Sequence, residues 1–192
     1  MNASTFTLST IRSSLAQPWL IAVFGIAYLV SQITIIIILL PIDEEMISLQ
    51  TTGFSAADYV EVFSAWQASG EMAIYRAHFI LDDPHPIWYA GLFTTLLCWL
   101  FLRFNVADKH NWLLFTPVAS GLLDWYENRL QHIFLSSSDF SNIVDPLPMY
   151  STLASDMKWI LSLIYVGLSV VLLIRYFAGR SGNVGRSRSA DS

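Results

Sequence analysis

From Pro18 to Leu40 the chain reads PWLIAVFGIAYLVSQITIIIILL, a run without a single charged side chain. About 18 or more apolar residues in a row define a membrane-span candidate, because a helix needs about 20 to cross the hydrocarbon layer. The run is too long for the apolar region of a cleavable signal peptide. The residues after it (Pro41, Ile42, Asp43, Glu44, Glu45) offer no small-residue cleavage site. It is therefore read as an uncleaved first span. Three further, predominantly apolar runs follow, at about 86–104, 112–135 and 154–177. Together they predict an all-α integral membrane four-helix bundle over 18–177. A segment at 1–17 precedes it, and a tail from 178 to 192, rich in Gly, Ser and Arg, is expected to be disordered.

The basic residues set the orientation. Arg12, Arg103, Lys109, Arg175, Arg180, Arg186 and Arg188 fall on one side of four spans, and the opposite loops carry only Arg76. Lys and Arg are retained on the cytoplasmic side, so both termini are expected inside, with 41–85 and 136–150 outside. Acids crowd those outer loops, and the formal net charge is -5, which leaves no basic face for nucleic acid. The lipid bilayer is the expected partner. Between spans 1 and 2, Ser55 is a candidate N-cap. The apolar spacing from Ala56 to about Leu81 predicts an amphipathic extracytoplasmic helical segment, broken or kinked at Gly70. The Asp82-Asp83-Pro84 sequence suits a cap and turn before the second span, with Trp88 and Tyr89 as an interface anchor.

The chemistry concentrates in LLDWYENRLQHIF, residues 122–134. Asp124, Glu127, Asn128, Gln131 and His132 recur at spacings of three and four, which places them on one helical face. A charged side chain at the centre of a span costs about 3 kcal/mol on insertion scales. Two carboxylates one turn apart therefore need an inward face and partners. Lys158, about one turn into the fourth span, is the candidate counter-ion. Arg129 is expected to snorkel outward. Arg76, Asp82, Asp83, His78 and His85 stand at the outer mouth of the second span.

Two readings of the stripe compete: a ligand or catalytic site, and a structural network of interhelical hydrogen bonds worth about 0.6–2 kcal/mol each. For His78, His85 and His132 a structural role is the simpler reading. Asp82, His85, Asp124 and Glu127 could supply metal ligands, but no HExxH or paired-Cys spacing supports a metal centre, and no cofactor is named by the residues. A hydrophobic cation would suit paired carboxylates below an aromatic mouth of Trp88, Tyr89, Trp125 and Tyr126.

The motifs GFSAADYVEVF…YRAHFILDDPHPIWYA, PVASGLLDWYENRL and STLASDMKW resemble those of a group of uncharacterised four-span bacterial membrane proteins with a third-span D-x-x-E-N motif. The matching positions are Gly53, Tyr75, Arg76, Asp82 and Pro86; Pro117, Asp124, Glu127 and Asn128; and Ser155, Lys158 and Trp159. The likeness covers roughly residues 40–175. It implies a bacterial inner membrane and groups Arg76, Asp82, Asp124, Glu127, Asn128 and Lys158, but it brings no activity. Sterol-isomerase and emopamil-binding bundles offer a looser analogy, with no residue-by-residue match.

Three functions follow as expectations. The first is binding or helping to move a small hydrophobic or ionic ligand or a lipid, with Asp124 and Glu127 at the centre, Lys158 opposite, Asn128 orienting, and Arg76 and Asp82 as a gate. Transport would require a homo-oligomer, since four spans without an inverted repeat are few. The second is an intramembrane enzyme acting on a lipid or isoprenoid head group. The third is an accessory or scaffold subunit in which the stripe is glue.

Overall fold

The computed structural model describes residues 8–188, with side chains described from Ser9 to Gly179. It is all-helical, with no strand among the described residues. The elements are α1 (Leu8–Leu15), α2 (Pro18–Leu39), α3 (Asp43–Thr52), α4 (Ala56–Ser69), α5 (Met72–Asp82), α6 (His85–Arg103), α7 (Thr116–Phe134) and α8 (Leu147–Arg188). Three stretches are long and apolar enough to cross a membrane: Pro18–Thr52, His85–Arg103 and Leu147–Gly179.

The first stretch does not stop at Leu40. A 3-10 turn at Leu40–Ile42 carries the chain into α3. Pro41 is tolerated because it opens this new turn. Asp43, Glu44 and Glu45 fall in the first turn of α3, where carboxylates oppose the positive end of the helix dipole. Acidic residues read as the start of a loop are thus the start of a helix. Helix α4 begins as expected: the Ser55 side chain accepts from Asp58 N, and the Asp58 carboxylate accepts from Ser55 N. Asp145 Oδ1 also accepts from Ala56 N at 2.8 Å. Gly70 ends α4 at φ 90, a left-handed conformation that favours glycine.

The third apolar run is shorter as α-helix than its composition suggests. Residues Asp108–Phe115 form a 3-10 segment, and α7 starts only at Thr116, next to Pro117. Asp82 and Asp83 do not cap α6, whose first turn has no side-chain cap. The last helix starts early, at Leu147, and its backbone continues to Arg188. The tail's final residues, 189–192, lie outside the described residues, as do 1–7.

Helix α6 packs on α1, α2, α7 and α8, α7 packs along α8, and α3 also rests on α8. Two apolar cores result. One joins α3, α4 and α5 to the end of α7, with Tyr59, Phe63, Trp66 and Phe134 buried together. The other joins α6 to α8 around Leu97, Leu100, Phe101 and Leu172. Gly53 closes the first. Its carbonyl accepts from Thr152 Oγ1 at 2.6 Å, and a Cβ there would stand 2.7 Å from the Leu49 carbonyl oxygen. Gly53→Ala is therefore expected to destabilise the protein by about 1–3 kcal/mol, read as a lower thermal midpoint in a nanodisc.

Candidate functional site

The stripe on α7 faces inward as its spacing requires. Asp124, Glu127, Asn128 and Gln131 are all buried, while Leu122, Trp125, Tyr126 and Arg129 are exposed. Lys158 on α8 reaches across and sits 2.6 Å from Asp124 Oδ1 and 2.6 Å from Glu127 Oε2. The remaining carboxylate oxygens are also held. Tyr89 donates its hydroxyl to Asp124 Oδ2 at 3.1 Å, and Gln50 Nε2 donates to Glu127 Oε1 at 3.0 Å. A buried charge persists only where pairing and hydrogen bonds offset its desolvation, and this cluster provides both. Ser120 and Ser162 line the same seam, with Ser120 Oγ donating to the Lys158 carbonyl at 3.1 Å.

One turn further along α7, Gln131 belongs to a separate network. It accepts from the Tyr75 hydroxyl at 3.0 Å and donates to Tyr59 and Ser151. That network ties α4 and α5 to α7 and α8.

The carboxylate cluster borders a cavity of about 420 Å³. Asp124, Lys158, Asp82, His78, His85 and Tyr89 stand at its polar end. Its walls are Tyr28, Ile35 and Leu39 of α2, Phe93 of α6 and Tyr165 of α8. Ile36, Ile47 and Trp159 line it too, yet each is more than half exposed. The cavity therefore opens sideways between α2–α3 and α8, through an apolar rim.

His85 carries a further polarity. Its Nδ1 lies 2.7 Å from Ser31 Oγ, and Ser31 gives its own proton to the Tyr28 carbonyl at 3.1 Å. The Ser31 oxygen must then accept from His85 Nδ1–H. In the neutral imidazole this leaves Nε2 as an acceptor in a side chain that lines the cavity.

Asp82 lies at the end of α5. Burial, followed by the nearby Asp124 carboxylate, pushes its carboxyl up to about 7 against the pull of the Lys158 ammonium. Glu127 also faces it, and His78 Nε2 is 3.9 Å away on its own helix. Burial holds the His78 imidazole down to about 4, so it stays neutral at pH 7. A carboxyl whose pKa is higher when folded stabilises the fold below its ordinary value, and that contribution is lost as pH rises through the folded value. Between about pH 4 and pH 7, wild type is thus expected to lose stability relative to Asp82→Asn, with the difference flat above that window. Thermal midpoints of the two proteins across pH check it.

Several expected members stand elsewhere. His132 is half-exposed at the rim of α7, where its Nε2 meets Asp83 at 3.0 Å. Its ring packs on Phe79, so it is not part of the carboxylate cluster. Arg76 is exposed on α5 and makes no ion pair with a described residue. Asn128 is buried, but its Nδ2 has no hydrogen-bond partner among the described residues. Tyr89, read as an interface anchor, points inward to Asp124. Among the described residues no three His, Cys, Asp or Glu side chains gather as a metal-binding group. The Lys158 ammonium occupies the place between Asp124 and Glu127 where a bound cation would sit. Gln50, Tyr89 and the His85–Ser31 pair were not marked by helical spacing, because each reaches the site from a different element.

No family model, no curated protein and no solved structure matches the chain.

Proposed function

We propose that this is a multi-pass membrane protein crossing the bacterial inner membrane four times, with both termini inside, and that its cavity binds or helps to move a small ligand. The carrying observation is the roughly 420 Å³ cavity with charged groups at one end and exposed apolar side chains at its rim. Small-ligand pockets fall at about 300–1,000 Å³ with a few placed polar groups in apolar walls. The charges of α7 support counting it as a span beside the three apolar stretches. They face Lys158 and not the outer surface, where Val118, Leu122, Trp125 and Tyr126 are exposed. Its 19 residues extend roughly 28 Å at about 1.5 Å per residue, close to the hydrocarbon thickness. The basic residues Arg103, Lys109 and Arg175 support the inward orientation of one end. Segments α3–α5 would then cover the outer end.

The test is native mass spectrometry of protein released from nanodiscs, for wild type and Asp124→Asn. A bound small molecule lost in the variant supports the reading. An empty wild-type protein, with the variant merely less stable, supports instead an accessory subunit whose polar cluster is structural. The saturated Asp124–Lys158–Glu127 bridge favours that rival. The Asp82 carboxyl, raised to about 7 beside the cavity, favours another: an enzyme working on a lipid or isoprenoid head group. Asp124 faces the cavity and would serve such chemistry better than Glu127, which lies behind Lys158. Turnover of a lipid substrate abolished in Asp124→Asn would establish it.

A further inference from the structure

The cavity holds more acidic side chains than basic ones. Asp43, Asp82 and Asp124 line it, with Glu127 behind; Lys158 is the one Lys or Arg among its lining residues. Lys158 already donates an N–H to Asp124 and is ion-paired with Glu127. The Tyr89 hydroxyl is likewise given to Asp124. At the polar end Asp82, the Asp124 edge and the acceptor nitrogen of His85, a side chain more than nine-tenths buried, face the cavity, and Gln32 and Ser162 are also in its lining. His85 Nε2 has no partner among the described residues, although its Nδ1 is fixed by Ser31. An imidazole nitrogen with its lone pair toward a cavity is a ready acceptor for a donor that enters it. An anionic head group would meet like charge here, and a neutral one would leave the excess charge unanswered. A primary ammonium answers both needs, since it carries a positive charge and three donors. The rings of Tyr28 and Tyr89 flank His85 and give the cation aromatic faces. Away from the polar end the cavity meets the surface at the apolar gap between α2–α3 and α8, bounded by Ile36, Ile47 and Trp159.

We propose that the cavity takes an amphiphile with one hydrocarbon chain and a primary ammonium head, the head among Asp82, Asp124 and His85 and the chain in the gap between α2 and α8. This rests on the ligand-binding reading above and names the ligand's class. The ligand reaches its place sideways, from among the surrounding lipid chains.

The test uses the full chain in phosphatidylcholine nanodiscs, given equal mole fractions of dodecylamine, dodecanol or dodecanoic acid, or propylamine in the buffer. Adducts are read by native mass spectrometry. The expected result is a one-to-one dodecylammonium adduct, at least about tenfold stronger than that of dodecanoic acid or dodecanol. Propylamine, lacking the chain, gives none. Asp82→Asn, at the edge of the cluster and folded by its thermal midpoint, weakens the adduct by about tenfold. Ile47→Trp, which fills the rim, removes it. If dodecanoic acid or dodecanol binds as well as dodecylamine, the ammonium assignment falls while the binding reading stands. Equal binding of propylamine, or an adduct indifferent to Ile47→Trp, overturns the sideways path. If no probe binds and nothing copurifies, both the class and the binding reading fail.

Discussion

Lys158→Met should leave almost no folded protein. The substitution strands Asp124 and Glu127, both buried and each 2.6 Å from the lost ammonium. Breaking a buried ion pair by removing one partner costs about 3–5 kcal/mol, a large share of an ordinary domain's stability. The Tyr89 and Gln50 donors remain, but they cannot neutralise two carboxylates. The informative companion is the triple variant Lys158→Met/Asp124→Asn/Glu127→Gln. Replacing every member of a buried ionic cluster is often neutral or stabilising, so this variant should recover most of the loss. Unfolding in bicelles by steric trapping measures both. If the single variant is as stable as wild type, the cluster is not charged as drawn.

Phe63→Ala has the second largest expected effect. The ring is fully buried and touches Tyr59, Trp66, Tyr75 and Phe140. Removing such a ring costs about 3–5 kcal/mol through lost transfer energy and the cavity left behind. The damage should centre on α4 and α5, which share this cluster and the Gln131 network, with α5 also packed along α2. Hydrogen exchange should quicken over 56–82 while α6 and α8 keep their protection. A uniform loss across the chain would show that α4 and α5 unfold as one unit with the long helices.

Much of this arrangement was legible beforehand, and what was not has identifiable causes. Long uncharged runs declare apolar helices with little ambiguity, and the Ser55 cap and the Gly70 stop are local signals. The spacing from Asp124 to Gln131 put them on one face, and the energy of burying carboxylates required a cation, for which Lys158 was the nearest choice. Spacing cannot give helix rotation, so it did not show Tyr89 turning inward or His132 turning to Asp83 at the rim. Gln50 was missed because Pro41 and three acids resemble a loop, whereas together they start a new helix. Arg76 shares a motif with Asp82 but lies on the exposed side of α5, where nothing in one sequence distinguishes it from a gate.

The joint at Leu40–Ile42 has a mechanical consequence. Helix α3, which hangs from it, carries Ile47 on the cavity rim, Gln50 against Glu127, and the Leu49 carbonyl against Thr152. A swing of α3 about Pro41 would widen the aperture and, in the same movement, withdraw a hydrogen bond from the innermost carboxylate. One short joint thus carries both a wall of the aperture and a donor to the interior charge.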